Sequence, residues 1–105
     1  ILKPNYQGST GYGQIFLELN IENLGVGDLW DIESAVEVLV EKGVVDEDKI
    51  GCMGWSQGGY ISAFARLHSD KFKAISVGAG ISDWYTYHIS NDIPHYTDHY
   101  LSNDP

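Results

Sequence analysis

The chain has 105 residues and a formal net charge of −9 at pH 7. That length suits one domain at most, and the acidity disfavours nucleic-acid backbones and anionic membrane surfaces as partners. No apolar run approaches the ~20 residues that span a bilayer, and a single cysteine, Cys52, excludes an intrachain disulfide and reads as a small core residue.

Residues 1–6, ILKPNY, form the first predicted strand. Pro4 cannot donate to a ladder, so this strand belongs at an edge or near a strand end. A glycine-rich loop follows over residues 7–13. Glycines after a strand can cradle phosphate, but the spacing here is not G-x-G-x-x-G and no Walker lysine follows. Residues 14–27 read as a weak helix ending at Gly25 or Gly27.

A stronger helix comes next. Leu29, Ile32, Ala35, Val36, Leu39 and Val40 recur at the 3.6-residue period and form one apolar stripe. Asp28 is the predicted N-cap, Asp31 puts a carboxylate in the first turn, and Gly43 suits the C′ position. The polar turn DEDK, residues 46–49, leads into a predicted buried strand over 49–55. Tyr60, Ile61, Phe64, Ala65 and His68 then fall at helical spacing, and residues 72–78, FKAISVG, form a third strand. The order β-α-β-α-β predicts an α/β fold: a parallel sheet with helices on both faces.

Between the second strand and its helix lies G-W-S-Q-G, with Ser56 flanked by Gly54 and Gly58. Strand, G-x-S-x-G, helix is the arrangement of a nucleophile elbow. The serine there sits on a sharp, strained turn, and side chains two residues to either side would collide. A plain glycine-rich turn is the bland alternative, and the strand and helix around it favour the elbow. Ser56 is therefore the candidate nucleophile. The final segment, residues 79–101, holds Trp84, Tyr85, Tyr87, Tyr96 and Tyr100. It follows the C-terminal end of a strand, where open α/β sheets place their sites. An aromatic cluster there can line an apolar pocket or pack a surface helix.

Residues 4–13, 25–39, 46–60 and 72–84 together resemble the serine peptidases of the prolyl oligopeptidase family, with most likeness to its acylaminoacyl-peptidase and dipeptidyl-peptidase branches. The asparagine-tyrosine-x-glycine-serine stretch, the tryptophan-serine elbow and the Asp83-Trp84 pair carry the resemblance. It implies the central part of an α/β-hydrolase catalytic domain, a partial domain over residues 1–105 that is incomplete at both ends. It implies Ser56 as nucleophile, the Gln57 backbone N–H as one arm of the oxyanion hole, and Trp84, Tyr87 and Tyr96 bordering the pocket for the residue before the scissile bond. The residues around 90–95 look like an insertion relative to the dipeptidyl branch. Gln57 stands where many of these peptidases have tyrosine and esterases often have glutamine.

The resemblance also implies the chain order serine, aspartate, histidine, with the acid and base beyond this chain. The chain alone is then expected to be inactive and, with sheet edges uncovered, to self-associate. The partner expected for the intact protein is a peptide substrate, with no cofactor. An esterase and a catalytically silent hydrolase-fold module are the alternatives. An internal triad would use Asp83 with His88, His95 or His99. His95, Asp98 and His99 invite a zinc reading, but no third strong ligand is evident and no metal is expected. The first residues do not read as a signal peptide.

Overall fold

The computed structural model describes residues 1–101. In chain order it contains α1 (Gln14–Glu18), α2 (Gly27–Glu41), a 3₁₀ turn (Glu47–Lys49), β1 (Gly51–Trp55), α3 (Gln57–His68), β2 (Ala74–Gly78), α4 (Trp84–Ser90) and α5 (Pro94–Tyr100). The two strands pair in parallel, from Gly51 opposite Ala74 to Trp55 opposite Gly78, with α3 connecting them. Among the described residues no helix is long and apolar enough to cross a membrane.

The expected strand over residues 1–6 is not formed. A strand exists through its ladder, and no described segment pairs with these residues. They run in irregular conformation onto α2 instead. Gln7 N–H donates to Asp31 Oδ2 (2.7 Å), and the Gln7 side chain lies so close over Gly27 that a Cβ there would overlap its amide. The weak helix expected over 14–27 is confined to α1. Beyond it the chain turns through Glu22 and Gly25, both at positive φ. Gly25 is required at its position, because a Cβ would lie 2.8 Å from Tyr60 Oη.

Asp28 is not the N-cap. The turn at Asn23–Val26 runs straight into the helix, with Val26 N–H on Asn23 O (3.3 Å) and Trp30 N–H on Val26 O (3.1 Å). The N–H groups of Val26, Gly27 and Trp30 are thus met by backbone, that of Leu29 by Asp28 Oδ1 (3.0 Å), and Asp28 lies fully buried inside the first turn. At the other end the expectation for Gly43 holds. Its φ is +66°, and the bonds Gly43 N–H to Val40 O (2.8 Å) and Val44 N–H to Leu39 O (3.0 Å) make a Schellman motif.

The predicted buried strand and the third strand both start two residues later than expected, and neither is buried: β1 alternates exposed and half-buried residues and β2 is exposed up to a half-buried Gly78. Asp46 caps the 3₁₀ turn by accepting from Asp48 N–H (3.1 Å) and pairs with Lys49 (2.9 Å), which keeps Lys49 out of β1. Phe72 leaves the strand path to enter the core, where it joins Leu29 and Val36 of α2 and Ala65 of α3. Ile32, Val40, Ile50, Cys52 and Phe64 pack around them, so α2 and α3 share the side of the sheet that carries Cys52. Cys52 Sγ lies 3.4 Å from Ser62 Oγ. On the opposite face Met53 and Trp55 are 80% and 75% exposed. With two described strands neither is interior.

Asp28 carries a testable consequence. Burial raises its carboxyl above the ordinary value, the N–H groups of Gly25 and Leu29 oppose that rise, and the Asp31 charge adds to it. Its Oδ2 has no hydrogen-bond partner among the described residues. The folded state therefore keeps a proton over a pH window in which the unfolded chain has lost it, so stability falls as pH rises through that window. Asp28→Asn keeps an acceptor for Leu29 N–H and removes the charge. Its urea midpoint should gain on the parent's as pH is raised from about 3.5 to 7. Parallel midpoint profiles would exclude a buried charge at Asp28.

Candidate active site

Ser56 occupies the junction of β1 and α3 with φ 57° and ψ −118°, a sparsely populated region that costs a non-glycine residue about 1–3 kcal/mol. Two backbone bonds enforce it. Ser56 N–H donates to Gly78 O at the end of β2 (2.9 Å), and Ser56 O accepts from Tyr60 N–H (3.0 Å), the first-turn bond of α3. The side chain makes no capping bond to α3 and is exposed. The hydroxyl is thus presented on a held backbone, free of protein partners among the described residues.

The two flanking glycines are not equivalent. A Cβ on Gly54 would lie 2.3 Å from both C and O of Gly58, backbone atoms that cannot step aside. A Cβ on Gly58 would meet nothing within 4 Å. The expected collision is therefore real two residues before the serine and absent two residues after it. The second indispensable glycine is Gly59, where a Cβ would lie 2.6 Å from Gly78 O and 2.9 Å from Gly80 Cα. It lets α3 approach the exit of β2. The glycine doublet after Gln57 was the available signal, but which member is needed depends on the approach of β2.

Gln57 is the first residue of α3, so its N–H is one of the initial helix donors that have no intrahelical acceptor. Its side-chain Oε1 accepts from the Tyr96 hydroxyl of α5 (2.5 Å). Burial, with lesser contributions from Tyr100 and Tyr87, pushes the Tyr96 phenol up to about 12, so the hydroxyl remains a donor across the neutral range. Trp84 and Tyr87 meet edge-to-face at 5.9 Å, and Trp84 meets Tyr60 of α3 at 5.1 Å. The structure thus joins Tyr96 to Gln57, and Trp84 and Tyr87 to the first turn of α3 through Tyr60. The aromatic tail forms two short helices, and Pro94 opens the second.

The internal acid and base do not assemble. Asp83 caps α4, accepting from Thr86 N–H (3.2 Å) and from the Thr86 hydroxyl, which chiefly holds its carboxyl below the usual range. His88 Nδ1 meets Thr97 Oγ1 at 2.6 Å and lies 3.7 Å from Asp98 Oδ1. Among the described residues no histidine pairs with Asp83 and none is hydrogen-bonded to Ser56. Nor does any group of three His, Cys, Asp or Glu side chains among them converge to hold a metal ion. A cavity of about 340 Å³ lies beside α2, lined by Val36, Val40, Ile50, Asp70 and Lys71 among others, and includes none of the candidate site residues.

The model of the prolyl oligopeptidase family matches residues 1–105. The chain belongs to this family. Among curated relatives, the uncharacterized peptidase YuxL of Bacillus subtilis is 31% identical over 102 residues, 95% of this chain and 16% of its own length. The Pyrococcus horikoshii acylaminoacyl peptidase superposes with a TM-score of 0.89 at 33% identity, over 96% of this chain and 17% of its own. A Mycobacterium tuberculosis puromycin-hydrolyzing peptidase superposes with a TM-score of 0.90 at 32% identity, over 96% of this chain and 16% of its own. The chain therefore spans about one sixth of the length of these relatives. At this identity and overlap, the two strands and their helices are those of an α/β-hydrolase peptidase fold.

Proposed function

We propose that this chain carries the nucleophile of a serine peptidase that cleaves short peptides through an acyl-enzyme on Ser56. The observation that carries the reading is the Ser56 backbone, held at φ 57° with a hydroxyl that caps nothing. Ser56 Oγ attacks the scissile carbonyl carbon while its proton passes to a base. The carbonyl oxygen gains the negative charge and faces the Gln57 N–H. Collapse expels the amine, which takes the proton from the base, and water then hydrolyses the ester on Ser56. Trp84, Tyr87 and Tyr96 border the pocket for the residue before the scissile bond. The base and its carboxylate come from outside the described constellation, in keeping with the absence of a histidine partner for Ser56 among these residues.

Full-length protein carrying this sequence should hydrolyse peptide anilides. Cleavage of simple esters with no peptide substrate cleaved would favour the esterase reading, and turnover of neither would favour a silent module. The 105-residue chain alone should show no measurable turnover of either substrate class. Without a base its serine hydroxyl is a weak nucleophile, and its exposed Met53 and Trp55 face favours self-association. Turnover by a monomeric chain, lost in Asp83→Ala, would instead place the acid within the chain.

A further inference from the structure

Gln57 and Tyr96 are 39 residues apart in sequence, yet their side chains meet at 2.5 Å. Tyr96 is a well-anchored post. Its ring packs on Tyr100 at 4.6 Å, and Tyr100 O accepts from Glu22 N–H (3.0 Å). One residue on, the buried Thr97 bonds to Pro94 O (2.7 Å) and to His88 Nδ1 of α4 (2.6 Å). The element that presents the Tyr96 hydroxyl is therefore tied both to α4 and to the segment before α2. By contrast Gln57 stands at the start of α3, where the backbone N–H groups lack intrahelical acceptors. A bond from a fixed post to the first side chain of α3 restrains that end.

We propose that Tyr96 is a positioning residue: its O–H holds the Gln57 side chain through Oε1 and so fixes the Gln57 backbone N–H that faces the developing oxyanion. This role rests on the proposed serine-peptidase reading and goes beyond a place for Tyr96 in the pocket wall. A wall residue acts through its ring, whereas a positioning residue acts through its hydroxyl and through Gln57. A donor aimed at the oxyanion stabilises the transition state more than bound substrate. Loss of the hydroxyl therefore appears in kcat, with KM largely unmoved.

The test is a double-mutant cycle on the full-length protein with a peptide anilide, using Tyr96→Phe, Gln57→Met and the pair. Tyr96→Phe keeps the ring, and Gln57→Met keeps the backbone N–H and the side-chain length. Each single change should lower kcat by about five- to tenfold, with KM within about twofold, and the pair should lose no more than either single variant. Multiplying losses in the pair, or a rise in KM alone for Tyr96→Phe, would overturn the role and leave Tyr96 as pocket wall. Should Tyr96→Phe fail to fold, Gln57→Met carries the test, and an unchanged kcat would overturn the proposal. Labelling the parent with a fluorophosphonate separates the two levels. A labelled Ser56 with multiplying losses sinks only the Tyr96 role; an unlabelled Ser56 sinks the nucleophile reading and the role with it.

Discussion

Ser56→Ala in the full-length protein should lower turnover of peptide anilides by about four to six orders of magnitude, as loss of an activated serine does in triad enzymes. The fold should be left intact. Ser56 Oγ makes no capping bond, and alanine carries the same Cβ at the same φ, so the change in stability should stay within about 0.5 kcal/mol. Ser56→Gly divides the two properties further. Glycine populates positive φ without a Cβ penalty, so that variant should be as inactive as Ser56→Ala yet more stable than the parent by about 1 kcal/mol. Urea unfolding and anilide hydrolysis measured on the same three proteins check both halves. Activity within tenfold of the parent in Ser56→Ala would remove Ser56 from the chemistry. Equal stability of the alanine and glycine variants would mean that the elbow stores no strain.

Gly54→Ala should destabilise the fold by about 3 kcal/mol or more. Its Cβ would stand 2.3 Å from the carbonyl carbon and oxygen of Gly58. Those are backbone atoms of the first turn of α3, so relief requires α3 to shift away from β1, and the elbow moves with it. Gly58→Ala is the matched control, since its Cβ meets nothing within 4 Å. Alanine is better than glycine inside a helix by up to about 1 kcal/mol, so this variant should be neutral or slightly stabilised. Urea midpoints of the two variants test the asymmetry directly. Equal destabilisation would restore the symmetric reading of the flanking glycines.

The features legible in the sequence were those whose cause is local. The elbow is one, because a short apolar strand, a serine between glycines and an apolar helical stripe lie within 20 consecutive residues. The Schellman end at Gly43 is another, since it needs one residue with a particular backbone preference. The features missed depend on distant chain. Residues 1–6 have the composition of a strand, but no described segment pairs with them. Asp28 has the chemistry of an N-cap, but the turn from Asn23 runs straight into the helix and carries it into the core, where its Oδ1 accepts from Leu29 N–H. The need for glycine at position 59 rather than 58 follows from where Gly78 and Gly80 pass. The bond from Tyr96 to Gln57 joins residues 39 apart, and no periodicity encodes it.

Ser56 as the nucleophile is tested most directly by the site of covalent capture. Full-length protein treated with a fluorophosphonate and digested should yield one phosphonylated peptide, with the adduct on Ser56 and none in the Ser56→Ala variant. An adduct on another serine, or an unmodified Ser56 in protein that still hydrolyses peptide anilides, would contradict the assignment.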